Sequence, residues 1–221
     1  MKTKKVNKDF FKGWTSEMAY VLGYFLADGT FDITARGGYY FGFHICDKDI
    51  LLKIRKALGS THKISQRSVR VGESPRYRIQ IGSKEMCEDL LKLGVLPQKT
   101  KQLSVPEIPK DFIFDFVRGY FDGDGNVWMG YINKQRVTPT LVLQVTFTSG
   151  SQTFLRELRK LLNQSGIEGG TLYLPKNKPF GRLTFSTKSG LLLGERMYEK
   201  GSDLFLQRKK SRFDKFKDKT I

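Results

Sequence analysis

"VLGYFLADG", residues 21–29, is an apolar run closed by an acid and a glycine, and "VRGYFDGDG", residues 117–125, repeats Val, Gly, Tyr, Phe, Asp and Gly in register. Asp28 and Asp124 thus fall nearly half a chain length apart, the signature of an internal duplication. Either nonapeptide alone reads as a core helix closed by an Asp-Gly turn; two in register need a joint explanation. Ser16 with Glu17, and Asp111, mark the expected helix starts. Gly23 and Gly119 then lie inside helices, where each costs about 1 kcal/mol relative to Ala. Four residues further on stand Ala27 and Gly123, so each helix carries two small residues one turn apart, a face that another backbone can approach closely. Packing these faces together offsets the glycines and brings Asp28 and Asp124 out side by side at one end of a helix pair.

The segments after each nonapeptide follow one order. "TFDITARGGYYFGFHIC" alternates Phe41, Phe43 and Ile45 behind a Gly-Gly turn signal and reads as a hairpin, as does "NVWMGYINKQRVTPTLVLQVTFTS" with Leu141, Leu143, Val145 and Phe147 on one face. "DKDILLKIRKALG" and "SQTFLRELRKLLNQSG" then show helical spacing, with Asp47 and Ser151 as caps and a closing glycine each. A second hairpin and a short helix follow in both halves. Each half therefore reads helix, hairpin, helix, hairpin, helix, an α+β duplication. Pro97, Pro106 and Pro109 mark an extended connector. The expected divisions are a first repeat over 1–98, a linker over 99–110 and a second repeat over 111–221.

The chain has 221 residues, with 39 Lys and Arg against 22 Asp and Glu, a net charge of +17 that favours a polyanionic partner. Cys46 and Cys87 are too few and too isolated for a disulfide framework or a four-ligand zinc site, and are expected to be buried free thiols. Neither a signal peptide nor an apolar run of membrane-spanning length is visible. An intracellular protein, cytoplasmic or organellar and not secreted, is expected. "DGDGN" from Asp122 has the opening of a calcium loop, but Val127 and Asn133 occupy the places where that loop needs Gly and Glu.

With both nonapeptides ending in Asp-Gly and carrying glycine at their third position, the sequence resembles the LAGLIDADG homing endonucleases in their monomeric, two-motif form. Leu26 and Asp122 occupy the variable sixth position. The resemblance implies a pseudo-twofold fold with the motif helices packed at the domain interface and two antiparallel sheets forming a DNA-binding saddle. It also implies that Asp28 and Asp124 are the catalytic, metal-binding carboxylates, with Ala27 and Gly123 beside them offering backbone carbonyls. Such hard ligands favour Mg2+, with Mn2+ as a substitute. The family places a basic residue near each metal centre; "PQKTKQLSVP" nominates Lys99, and "LFLQRKKSRF" nominates Lys209, with Arg208 and Lys210 as rivals. Asp47 and Ser149, near the ends of equivalent strands, are candidates for ordering water around the site.

Because strands alternate faces, burying Phe41, Phe43 and Ile45 turns Gly42, His44 and Cys46 outward. Burying Tyr77, Ile79 and Ile81 likewise exposes Arg76, Arg78 and Gln80. In the second repeat Gln144, Thr146 and Thr148 face outward, joined by Arg182 and Thr184. The candidate DNA contacts are His44, Arg67, Arg70, Arg76, Arg78, Gln80, Gln144, Thr146, Lys176, Arg182 and Thr184, since Arg and Gln read base edges and basic residues neutralise phosphate. The outward positions differ between repeats, which predicts an asymmetric double-stranded target. "MKTKKVNK" and "RKKSRFDKFKDK" are basic ends, read either as phosphate contacts or as flexible tails. The expectation is a monomeric, Mg2+-dependent endonuclease cutting both strands, with intron homing as its context. The alternative is a non-cleaving binder on the same scaffold, an intron RNA maturase or a DNA-binding regulator.

Overall fold

Thr15, one residue before the expected start, opens the first motif helix: its side chain accepts from the Met18 N–H at 3.1 Å. Helix α1 (Ser16–Asp28) is buried continuously from Met18 to Leu26, as expected of a helix apolar on all sides. The Gly29 N–H bonds to the Phe25 carbonyl and the backbone turns extended at once, so strand β1 (Gly29–Ile33) begins where the helix ends. The second motif helix, α4 (Ile113–Asp124), runs as directly into β5 (Gly125–Ile132). It is entered through a 3-10 turn, Lys110–Phe112, so Asp111 sits in that turn rather than at the helix cap. The computed structural model describes residues 4–67, 73–97, 103–178, 180–199 and 201–220.

By packing, the chain divides into two compact units, Met1–Lys99 with Pro106–Gly123, and Thr100–Val105 with Asp124–Ile221. The body of α4 therefore belongs with α1. The two helices meet at their glycines: a Cβ on Gly23 would lie 2.1 Å from the Phe116 carbonyl oxygen, and one on Gly119 would lie 2.0 Å from that of Tyr20. Backbone stands against backbone here, and this close approach offsets the cost of the two helical glycines.

Polar groups tie the same pair together. The Tyr20 hydroxyl donates to Asp122 Oδ2 at 2.8 Å, and Arg118 Nη2 donates to Asp115 Oδ1 at 2.8 Å. The Arg118 guanidinium also lies 5.4 Å from the centre of the Tyr20 ring. All four side chains are buried. Burial, followed by the Asp122 charge and hydrogen bond, pushes the Tyr20 phenol well above its usual 10. The phenol is thus a protonated donor at neutral pH. Its contribution is complete below pH 10 and is lost as pH rises toward the raised value. Tyr20→Phe is expected to cost about 2 kcal/mol by removing one donor from a buried carboxylate, read as a lower urea midpoint with an unchanged denaturant slope.

In the first unit β1, β2 (Tyr39–Ile45), β3 (Ser65–Arg67) and β4 (Arg76–Gly82) form an antiparallel sheet in the order β1-β2-β4-β3. Phe41, Phe43, Ile45, Ile79 and Ile81 are buried on one face, where α2 (Lys48–Ala57) and α3 (Lys84–Lys92) supply Ile50, Leu51, Ile54, Met86 and Leu90 to the core. Asp47 stands at the α2 cap position but makes no side-chain capping bond. The second unit repeats the plan. Strands β5, β6 (Thr140–Ser149), β7 (Thr171–Tyr173) and β8 (Gly181–Ser186) form a sheet in the order β5-β6-β8-β7. Leu143, Val145, Phe147, Leu183 and Phe185 are buried against it, while Leu141 is only half-buried. Helix α5 (Gln152–Gln164) is capped by Ser151, which accepts from the Phe154 N–H, and α6 (Thr187–Tyr198) follows β8.

Two expectations are corrected. The basic C-terminal stretch is not a loose tail: Gln207–Asp218 forms helix α7, with Phe213 and Phe216 buried. These aromatics at helical spacing anchor it, the Phe213 ring sitting where a Cβ on Gly194 of α6 would come within 2.4 Å. The cysteines also differ from one another. Cys87 is buried, its thiol pushed up to about 12 by burial and then by Glu88, but Cys46 is exposed in the bend just after β2.

Candidate active site and nucleic-acid interface

Each motif aspartate is the last residue of its helix. The negative end of a helix dipole disfavours a carboxylate there by about 0.3–1 kcal/mol, so the placement opposes local stability twice in one chain. The helix end also offers carbonyl oxygens that have no partner within the helix. Carboxylate and carbonyl oxygens are the hard donors that suit a hard divalent cation. Asp28 is half-buried, and a Cβ on Gly123 would lie 3.4 Å from Asp28 Oδ2 and 2.3 Å from the Ala27 Cβ. Ala27 and Gly123 are thus small because α4 passes the end of α1 at contact distance. Asp124, the next residue, is exposed. Among the described residues, no group of three or more His, Cys, Asp or Glu is arranged to hold a metal.

In the second unit Lys209 separates itself from its neighbours. It is only 5% exposed, and its Nζ donates to the Gly125 carbonyl at 2.6 Å. Gly125 directly follows Asp124, so an ammonium group is held on the backbone that carries the second motif aspartate. Arg208 is exposed, and Lys210 is half-buried with its Nζ 5.0 Å from the Phe205 ring centre. A buried lysine requires such a partner. Lys99 and Arg70 lie outside the described residues. Ser149 is buried and its hydroxyl accepts from the Ser151 N–H at 3.1 Å, forming part of the turn into α5.

The outward sheet faces carry the expected side chains. Arg67, Arg76, Arg78 and Gln80 are exposed, with His44 half-exposed between them. In register, His44 stands opposite Arg78, and Arg67 opposite Arg76. Burial, then the charges of Arg76, Arg78 and Arg67, hold the His44 imidazole below its usual 6.5. His44 is therefore neutral at pH 7. On the second sheet Gln144 and Arg182 are exposed, and the half-buried Thr146 and Thr184 hydroxyls lie 3.1 Å apart. Lys176 is exposed in the connection between β7 and β8. Trp128, absent from the sequence-derived contacts, stands opposite Gln144 and is 42% exposed; its signal was the alternation that buries Val127 and turns Trp128 outward.

A duplicated α+β fold, with each repeat led by a helix that ends in an exposed or half-exposed aspartate and continues into an antiparallel sheet, defines the class. A family model described as LAGLIDADG-like domain matches residues 15–93 and 111–192. The chain belongs to that family. Among solved structures, it is similar to the meganuclease I-SmaMI bound to uncleaveable DNA, with a TM-score of 0.63 and 13% identity over 93% of this chain and 88% of that one. It is also similar to the I-LtrWI LAGLIDADG homing endonuclease bound to target DNA, with a TM-score of 0.58 and 14% identity over 96% and 92% of the two chains. Variants of the homing endonuclease I-DmoI give a TM-score of 0.57 and 14% identity over 86% and 97%. The fold is that of the LAGLIDADG homing endonucleases. A stretch of 106 residues, 44% of this chain, is 33% identical to the probable translation initiation factor IF-2 of Thermococcus kodakarensis, of which it spans 8%. Among the described residues, no helix is long and apolar enough to cross a membrane.

Proposed function

We propose that the protein is a site-specific DNA endonuclease that cuts both strands of a long asymmetric duplex in a reaction dependent on Mg2+ or Mn2+, acting as a monomer in intron homing. The observation that carries this reading is the placement of Asp28 and Asp124, each closing a motif helix at its electrostatically unfavourable end. Each carboxylate, with the carbonyl of the residue before it, Ala27 or Gly123, would hold divalent cation. When bound, such a cation supplies an activated water and relieves charge on the leaving oxygen of a phosphodiester.

The chain's own residues do the rest. The α1–α4 glycine contact fixes the helix ends, and the outward arginines bind the phosphate backbone and base edges. Lys209 holds the backbone that follows Asp124 and contributes positive charge beside it; Lys99 is its proposed counterpart in the first repeat. Lys209→Met is expected to slow single-turnover cutting about 100-fold with near-normal DNA affinity, and Lys209→Arg to restore part of the rate. Equal rates for Met and Arg variants would leave the ammonium charge without a role.

Selection from a randomised duplex pool tests the function, with sequencing of cut and bound molecules in Mg2+ and in EDTA. Cut sequences sharing one asymmetric site, recovered only with metal, are the expected result. Enrichment without cutting would favour a DNA-binding regulator, and capture of structured RNA alone would favour a maturase.

A further inference from the structure

The two outward faces are built from different hydrogen-bonding chemistry. On the first sheet Arg78 Nη2 donates to Gln80 Oε1 at 2.8 Å. That contact engages one of the two lone pairs of the amide oxygen, so the Arg78–Gln80 pair presents chiefly N–H donors outward. Gly42 stands opposite Gln80 and offers no side chain to cover it; a Cβ there would come within 2.2 Å of the Ile79 carbonyl oxygen. Arg67 and Arg76, opposite each other on the neighbouring rung, add further donors. The face is rich in donors, although the His44 imidazole opposite Arg78 also carries an acceptor; its arginines match the paired N7 and O6 acceptors of guanine and disfavour the amino groups that cytosine and adenine present in the major groove.

The second sheet offers mixed groups, with Arg182 the one guanidinium among the outward residues named above. Gln144 is flanked in register by Trp128 and Ser186, and the linked hydroxyls of Thr146 and Thr184 continue the face. An amide that keeps both donor and acceptor suits adenine N6 and N7, and threonine methyl groups pack on the thymine methyl. We infer that the two halves of the DNA target differ in composition: the half read by the first sheet carries guanines under Arg78 and Gln80, and the half read by the second sheet is rich in A·T pairs. This inference rests on the DNA-binding reading proposed above.

Binding selection from a randomised duplex pool in EDTA, with wild type and Arg78→Ala, separates the two. Wild type is expected to enrich sites with guanines on one strand of one half and A·T pairs in the other. Arg78→Ala should relax the preference at one or two adjacent guanine positions by about 10- to 100-fold, leaving the A·T half unchanged. Halves of like composition, or a variant that weakens binding to every sequence evenly, as loss of a phosphate contact does, would overturn the inference while leaving DNA binding intact. Enrichment of no duplex at all would overturn the DNA-binding reading itself, and this inference with it.

Discussion

Asp28→Asn and Asp124→Asn are each expected to reduce double-strand cutting by on the order of 1000-fold or more, a loss matching several kcal/mol of charge stabilisation at the reacting phosphate. Asn keeps the shape of the side chain and removes only its charge. Because that charge sits at the negative end of a helix in both motifs, neutralising it should leave stability unchanged or raise it by about 0.3–1 kcal/mol. A variant that melts no lower than wild type, binds the same duplex and fails to cut it separates a functional acid from a structural one. Undiminished cutting by either variant would remove that aspartate from the site, and a large loss of stability would mark it as structural.

Gly23→Ala and Gly119→Ala carry the second large effect, on stability. Alanine gains about 1 kcal/mol of helix propensity over glycine, so at an open helical position either change would stabilise. Here the added methyl would meet backbone carbonyl oxygens of the partner helix at 2.1 Å and 2.0 Å. Backbone cannot rotate aside as a side chain can, and the helices must separate. A net loss of about 3 kcal/mol is expected for each, seen in urea unfolding. The double variant should lose less than the two singles combined, because one separation accommodates both methyl groups. Stabilisation by either single change would contradict the close backbone contact.

The duplication and the glycine faces were legible because both depend on local spacing: a helical glycine with another small residue one turn later leaves few alternatives to close packing. Strand alternation likewise assigned Arg76, Arg78 and Gln80 to the outward face without reference to any partner. What the sequence concealed depends on tertiary pairing. Asp115 and Arg118 stand three residues apart, a spacing common in ion pairs on helix surfaces, yet both are buried, with Arg118 against Tyr20. Positions equivalent in the first motif helix hold Ala19 and Leu22, so the duplication itself gave no warning of charge there. Lys209 was one of three basic residues in a row until burial and the Gly125 carbonyl distinguished it. Helix α7 did leave a signal, Phe213 and Phe216 three residues apart, but it was masked by the density of lysine and arginine around them.

Metal-dependent cutting of a particular duplex is the activity proposed for a single chain carrying both aspartates. It is tested by incubating the purified protein with a duplex recovered by selection, in Mg2+ and in EDTA, with the fragments resolved on both strands. Two discrete products are expected with Mg2+, both strands cut at one site, and intact DNA in EDTA. Intact DNA in both conditions, or cutting that EDTA does not suppress, would contradict it.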